Sequence, residues 1–229
     1  MHWDKEYIVI LLIIIMVIET LPVNGKTSNL MIIGPPMVGK SILVRNLFSD
    51  KIKEGYGGIF ITTRAPPEEI IEWFSSKGID GFKIIDCVSK TFMQDLADEP
   101  NIKRVTVMDL TGITVRVNEL FKEFLGNENK AVVAFDSLST LLMYLNEQTV
   151  LRFLHVFSSR IRASGAVAFY VVEEGMHDER TIAALKQLFD GVVELREEGN
   201  HRYLRYMDTS MRIDWKEFEV QDNSVVVKA

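Results

Sequence analysis

An eight-residue segment has the residue types and the spacing of a loop that binds phosphate. It runs Gly34-Pro35-Pro36-Met37-Val38-Gly39-Lys40-Ser41 and fits the pattern G-x-x-x-x-G-K-[ST]. The two glycines let the backbone curl so that successive N–H groups point at a phosphate, and the next helix adds its N-terminal dipole. Lys40 supplies a positive charge to the β- and γ-phosphates. We therefore predict that nucleotide binds to these eight residues and to Ile42, which opens the following helix.

Two further oxygen atoms predict a magnesium ion beside this loop. Ser41 can place its hydroxyl oxygen on Mg²⁺, which also neutralises the phosphates. Asp136 ends the apolar run 131–135, and an acidic residue there can hold a Mg²⁺-bound water opposite Ser41. An aspartate at the end of a strand is as often a helix cap, so the prediction for Asp136 depends on the loop earlier in the chain. Ser41 and Asp136 are the metal ligands that we predict.

The elements that must position these residues alternate between strands and helices over most of the chain. Apolar runs predict strands at 30–33, 59–62, 82–86, 104–109, 131–135 and 166–172. Helical patterns lie at 42–53, from Pro67 onwards, and at 115–125, 138–145, 147–163 and 181–189. The last third changes to short strands at 191–195, 202–207, 218–220 and 225–227.

This order predicts an α/β fold with a largely parallel sheet flanked by helices and a C-terminal antiparallel extension. In such folds right-handed crossovers join the strands, and ligand loops lie at the carboxyl ends of the strands. Gly34, Thr62, Asp136 and Val172 are therefore expected to gather at one edge of the sheet.

The composition favours a single folded domain in the cytoplasm. The chain has 229 residues, 47% of them hydrophobic, which is enough to bury one substantial core. Cys87 is its one cysteine, so no intrachain disulfide forms and a reducing compartment is expected. The net charge of -6 argues against broad nucleic-acid binding, because nonspecific affinity comes from neutralising phosphates. Arg152, Arg160 and Arg162 could form a local basic patch, although a solvated helix face explains them more simply.

The amino terminus, residues 1–20, is a hydrophobic segment apart from the predicted nucleotide-binding domain at 21–229. Residues 8–18 are uninterrupted aliphatics, which as a helix would span about 17 Å, against about 30 Å for a bilayer core. The preceding Asp4-Lys5-Glu6 lacks the basic character of a signal peptide. A buried strand or core segment is favoured, with a membrane-association helix and a cleaved signal as alternatives.

Several stretches of the sequence match one known family. They are the Gly-Pro-Pro phosphate loop, Pro67-Glu68-Glu69-Ile70, and the segments 133–142, 177–185 and 189–196. On these stretches the chain resembles the RecA-like P-loop (Walker A) ATPases of the KaiC type, common in archaea and bacteria, over about residues 21–220. The resemblance implies a RecA-like fold, ATP and Mg²⁺ as cofactors, and a homo-oligomer with nucleotide between subunits.

Three departures from that family bear on hydrolysis. The resemblance implies two glutamates just before Pro-Glu-Glu, one of which orients the attacking water, but Arg64 and Ala65 occupy those positions. It also implies a Lys-x-Arg that reaches the γ-phosphate of a neighbouring subunit, and this chain has Asp208 and Ser210 there. The Gly-rich lead-in to the first strand is replaced by the aliphatic amino terminus.

The catalytic groups are therefore unassigned, with Glu68, Glu173 and Arg64 as the remaining candidates. A charge-stabilising finger contributes roughly 10³ to 10⁵ in the rate of phosphoryl transfer, whereas binding needs none of the missing groups. The leading hypothesis is a regulatory or assembly protein that binds Mg²⁺ and ATP with weak or absent hydrolysis, acting on an unidentified protein partner.

Three alternatives stay open at this point. The chain could be an active ATPase that a partner or neighbouring subunit completes. It could be an accessory ATPase of DNA recombination or repair, which its acidic charge disfavours. It could also be a membrane-associated ATP-binding scaffold similar to the ATPase of the archaeal motility apparatus, an idea that depends on residues 8–18.

Overall fold

The computed structural model describes residues 28–93, 95–125 and 130–228. The hydrophobic segment at 1–20, including the aliphatic run 8–18, lies outside these residues, so its assignment and the boundary at 21 stay predictions. Among the helices that are described, none combines the length and the apolar character needed to cross a bilayer.

Across the described residues, ten strands form one continuous sheet. In chain order they are β1 (Asn29–Gly34), β2 (Gly57–Thr62), β3 (Phe82–Asp86), β4 (Ile102–Arg104), β5 (Ala131–Asp136), β6 (Val167–Glu173), β7 (Gly191–Glu198), β8 (His201–Asp208), β9 (Arg212–Gln221) and β10 (Ser224–Val227). Their order across the sheet is β10-β9-β8-β7-β1-β6-β5-β2-β3-β4. In this order, the neighbouring strands from β7 across to β4 pair in parallel, whereas β8, β9 and β10 continue the sheet beyond β7 with antiparallel pairing. The predicted α/β fold class with its antiparallel extension is confirmed.

Helices connect the parallel strands and cover both faces of the sheet. In the described part of the chain they are α1 (Lys40–Lys53), α2 (Pro67–Ser76), α3 (Ser89–Phe92), α4 (Leu110–Leu125), α5 (Leu138–Tyr144), α6 (Glu147–Ser164) and α7 (Glu179–Leu188). Pro67 opens α2 as predicted, with carboxylates in the first turn, where the helix dipole favours them.

Side chains on the central strands alternate between two hydrophobic cores. On β1, Met31 and Ile33 pack in the core formed with α4 to α7, whereas Leu30 and Ile32 pack in the core formed with α1, α2 and the extension. The strands β1, β2 and β5 are buried along their whole length. A strand buried on both faces needs apolar residues at nearly every position, which explains the continuous apolar runs of the sequence.

The carboxyl ends of the central strands meet at one edge, as expected. Thr62 pairs with Asp136, and Gly34 pairs with Glu173 in the register of β1 and β6. The loops that follow β1, β2, β5 and β6 therefore open on the same side of the sheet.

The boundaries around β4 and α4 differ from the prediction. The strand expected at 104–109 is the short β4, which ends at Arg104. The N–H of Val105 still donates to the carbonyl oxygen of Asp86 at the end of β3, and Val107 is buried beyond it in an irregular segment. Asp109 then accepts a hydrogen bond from the N–H of Gly112 at 2.7 Å, so α4 begins at Leu110 and not at 115. The apolar alternation in this stretch comes from packing under α4.

Candidate functional site

The predicted phosphate-binding loop connects β1 to α1 and is shaped by its two glycines. A β-carbon on Gly34 would lie 2.6 Å from the carbonyl oxygen of Leu195, so only glycine fits beside β7. Gly39 has φ +112°, a conformation that favours glycine, and it caps α1 without a side chain. Val38 is fully buried while Met37 is 92% exposed, so one side chain fixes the loop to the core.

The loop ends at the positive pole of α1. The first N–H groups of a helix have no partner within it, and they attract anions together with the helix dipole. Ser41 and Ile42 follow Lys40 in this first turn. The loop between Gly34 and α1, including Pro35 and Pro36, thus leads into a helix end that attracts anions.

Lys40 is buried and already holds an anionic partner. Its Nζ donates to the carbonyl oxygen of Pro35 at 2.5 Å and lies 2.9 Å from Oε2 of Glu173. Burial lowers the pKa of Lys40 below its usual value, and the Glu173 carboxylate opposes this shift. Glu173 therefore stabilises the charged form of the lysine that is predicted to bind phosphate.

Glu173 is positioned by a hydrogen-bonded pair on neighbouring elements. The N–H of Glu173 donates to Oγ of Ser139 at 2.8 Å, and Nε2 of His177 lies 2.8 Å from the same oxygen. Burial lowers the pKa of His177, which favours the neutral ring. A neutral ring nitrogen can accept the Ser139 hydroxyl hydrogen while the Ser139 oxygen accepts from Glu173. The sequence reasoning missed Ser139 and His177, although both lie within stretches that carried the family resemblance.

Arg64 connects the remaining polar groups at this edge. Its Nη2 donates to Oγ of Ser41 at 2.5 Å, and it bonds both carboxylate oxygens of Asp136 at 3.1 to 3.3 Å. Its Nη1 lies 3.7 Å from Oε1 of Glu173. Asp136 is only 1% exposed, whereas the Arg64 side chain is 39% exposed. We refer to Lys40, Arg64, Asp136 and Glu173 as the charged cluster.

Thr63, the residue after β2, joins the ends of β2 and β5 through hydrogen bonds. Oγ1 of Thr63 donates to the carbonyl oxygen of Ser137 at 2.9 Å and accepts from the N–H of Ser137 at 2.6 Å. The N–H of Thr63 donates to the carbonyl oxygen of Asp136 at 2.8 Å. The backbone segments that carry Arg64 and Asp136 are therefore adjacent and hydrogen-bonded to each other.

Arg64 lies between the two predicted Mg²⁺ ligands, Ser41 and Asp136. Both predicted ligands are bonded to its guanidinium, whereas Mg²⁺ would need the Ser41 oxygen at about 2.0–2.1 Å and a bound water on Asp136, so the ion fits only where the guanidinium moves away.

Of the three candidate catalytic residues, two lie in the charged cluster and one lies apart. Arg64 and Glu173 are 3.7 Å from each other, whereas Glu68 is exposed on the first turn of α2. Its neighbour Glu69 pairs with Arg45 at 3.0 Å.

Asp208 and Ser210 stand where the resemblance implies a Lys-x-Arg, and they build a turn. The Asp208 carboxylate accepts hydrogen bonds from the hydroxyl groups of Tyr206 and Ser210 and from the N–H groups of Ser210 and Met211. These contacts shape the connection from β8 to β9.

The arginines considered as a basic patch are partly engaged on the protein itself. Arg160 donates to the Asn118 side chain at 2.8 Å, and Arg162 pairs with Asp190 at 2.8 Å, while Arg152 is exposed. Two of the three guanidinium groups thus have protein partners.

Comparison with known proteins identifies one family and one fold. The profile of a family of unknown function (DUF7504) matches residues 27–195. No curated protein matches the chain. Among solved structures, the crystal structure of the KaiC-like protein PH0186 from the hyperthermophilic archaeon Pyrococcus horikoshii OT3 superimposes with a TM-score of 0.65. The two sequences are 16% identical, and the match covers 88% of this chain and 89% of that chain. At this identity the likeness shows a shared RecA-like fold.

Proposed function

Because this chain belongs to the family of unknown function DUF7504, its activity must be inferred from its own site, and we propose that it binds ATP at residues 34–42. Hydrolysis is slow or absent, and bound nucleotide serves a regulatory or assembly role. Binding is the part of this proposal that a RecA-like fold favours.

The observation that carries the proposal is the geometry of the loop. Gly34 is held against β7, Gly39 has the left-handed conformation, and Lys40 follows at the N-terminus of α1. A close backbone turn, a helix dipole and a buried positive charge each favour the binding of an anion.

Slow turnover follows from the groups that face the loop. Arg64 and Ala65 follow Thr63 just beyond the end of β2, where the resemblance implies a carboxylate that orients water. A permanently protonated guanidinium cannot accept a proton from water, so it cannot serve as a general base.

The test is equilibrium binding of ATP to the wild-type chain and to Lys40→Ala. Charge-assisted hydrogen bonds contribute about 1.5–3 kcal/mol, so we expect Lys40→Ala to weaken binding at least about tenfold. Lys53→Ala is the matched control, because Lys53 is at the other end of α1 and its side chain is 63% exposed. Equal affinities of wild type and Lys40→Ala would contradict a phosphate site at this loop.

One observation favours a second function, an ATPase that a partner or a neighbouring subunit completes. Glu173 is a carboxylate only 12% exposed and 2.9 Å from Lys40, a place from which it could orient water. This alternative predicts that phosphate release rises with protein concentration or with an added partner and is abolished by Glu173→Gln. An unchanged rate in both experiments would remove it.

A further inference from the structure

Arg64 is the cationic centre of the site, and its partners come from three elements. It bonds Ser41 at the start of α1 and Asp136 at the end of β5, and it lies near Glu173 at the end of β6. A guanidinium is always protonated and presents its donors in a rigid planar fork, so it can contact several oxygens at once. Ser41 and Asp136 are also the two oxygen sources that a magnesium ion would use.

The Glu173 carboxylate marks where an anion is held. One of its oxygens lies 2.9 Å from Nζ of Lys40, and the other lies 3.7 Å from Nη1 of Arg64. A carboxylate between a buried lysine and a guanidinium, beside a phosphate-binding loop, has the same charge partners that a terminal phosphate would have. The Arg64 contact is long and solvent reaches the guanidinium, so an incoming oxygen can replace it.

The charges of the cluster without nucleotide disfavour a third cation. Lys40 and Arg64 carry two positive charges, and Asp136 and Glu173 carry two negative charges, so the charged cluster is balanced as it stands. A Mg²⁺ ion would have to displace the guanidinium from the nearly fully buried Asp136 and would then face it as a like charge.

We propose that Arg64 takes the place of Mg²⁺ in this site. With Lys40 it receives the terminal phosphates of a nucleoside triphosphate at the position that the Glu173 carboxylate now holds, and binding therefore does not require a divalent cation. This inference rests on the proposed function, because it assumes that the loop binds nucleotide.

The experiment measures the dissociation constant of radiolabelled ATP by equilibrium dialysis, with wild-type protein in excess Mg²⁺ and in excess EDTA. For a site whose cation is an arginine, we expect the two dissociation constants to agree within about threefold. This comparison uses the wild-type chain alone, so it does not depend on the folding of any variant.

A variant arm then tests whether Arg64 is responsible. In Arg64→Ala, the oxygens of Ser41 and Asp136 are free for a metal ion, so Mg²⁺ should strengthen ATP binding at least about tenfold over EDTA. Arg180→Ala removes one exposed arginine outside the charged cluster and should keep the wild-type behaviour. Circular dichroism of each variant verifies that it is folded.

Each outcome has one meaning. Wild-type affinity that does not depend on Mg²⁺, with dependence gained in Arg64→Ala, supports the inference, and independence that persists in Arg64→Ala overturns it. A wild-type dissociation constant that rises about tenfold or more in EDTA overturns the inference, but it leaves the proposal of ATP binding at the loop in place. Absence of binding in both buffers overturns the proposed function and, with it, the inference.

Discussion

The phosphate-binding loop and the charged cluster share one edge of the sheet but are held in different ways. The loop is a backbone structure, in which Gly34 fits against β7, Gly39 is left-handed and Val38 is buried in the core. The charged cluster consists of side chains that leave four separate segments and meet through ion pairs.

This difference separates the requirements for binding ATP from the requirements for hydrolysing it. Binding an anion depends on the Lys40 side chain and on backbone N–H groups, and the backbone groups cannot change without a change in the loop structure. The cation that assists the phosphates and the group that activates water are side chains, which can be exchanged while the backbone stays the same. A RecA-like fold can therefore keep its binding loop while it loses or alters hydrolysis.

The largest expected effect comes from the loop backbone. Gly34→Val would place a branched side chain against the Leu195 carbonyl oxygen, where even a β-carbon would lie at 2.6 Å. We expect the free energy of unfolding to fall by about 3 kcal/mol and ATP binding to be lost. Urea denaturation and equilibrium dialysis measure these two quantities.

Gly55→Ala is the control for this prediction. Gly55 has φ +89°, but a β-carbon there meets no atom within 4 Å, so the substitution costs about 1 kcal/mol from backbone conformation alone. If Gly34→Val were no more destabilising than Gly55→Ala, the close approach of Gly34 to β7 would not determine the conformation of the loop.

A smaller effect of opposite sign is expected in the charged cluster. Glu173→Gln removes the carboxylate that competes with phosphate for Lys40 and Arg64. Lys40 and Glu173 are both largely buried, and a net hydrogen-bond contribution of about 1 kcal/mol to Lys40 then becomes available to the phosphate, so ATP should bind about fivefold more tightly. Competition dialysis against the wild type measures the ratio.

Glu174→Gln is the matched control, because Glu174 is the exposed neighbour of Glu173 in the chain. Its affinity for ATP should equal that of the wild type. Weaker binding by Glu173→Gln would mean that Glu173 supports the ligand directly and does not occupy its place.

The smallest effect concerns Asp208, which lies where the resemblance implies a trans-acting lysine. Burial raises the pKa of Asp208, but hydrogen bonds from Tyr206, Ser210 and Met211 outweigh it and lower the pKa from 3.8 to about 2. A carboxylate with a lowered pKa stabilises the folded state above pH 4, and this contribution is lost as the pH falls towards 2.

Asp208→Asn should therefore lower the free energy of unfolding at neutral pH by about 1 kcal/mol, after allowance for screening by solvent. The gap to the wild type should close as the pH falls from 4 towards 2 in urea titrations. Asp214→Asn on β9 is exposed and should change stability by less than about 0.5 kcal/mol. A gap that persists at the acidic end would show that the charge of Asp208 is not what stabilises the turn.

The parallel core was predictable because its strands have a distinct composition. Strands buried on both faces, such as β1 and β5, require apolar residues at consecutive positions, and the turn residues between them are equally clear. The antiparallel strand β9 was predicted at 218–220 but spans Arg212–Gln221, because one of its faces is exposed and its polar residues hide its length.

Within the site, local patterns were predictable and long-range side-chain contacts were not. The phosphate-binding loop is contiguous, so its residues appear in the sequence as one motif. The contacts of Arg64 with Ser41 and Asp136 join residues far apart in the chain, and they depend on the direction of one long side chain. Sequence reasoning placed Arg64 among the candidate catalytic groups but did not predict that it would occupy the oxygens assigned to Mg²⁺.

The most direct test of ATP binding without appreciable hydrolysis measures both properties in the same samples. Purified protein is incubated with γ-labelled ATP, and bound nucleotide and released phosphate are followed together, with Lys40→Ala alongside. We predict saturable binding that Lys40→Ala loses and a phosphate release no faster than in the variant. Rapid release that requires Lys40, or no binding by the wild type, would contradict this function.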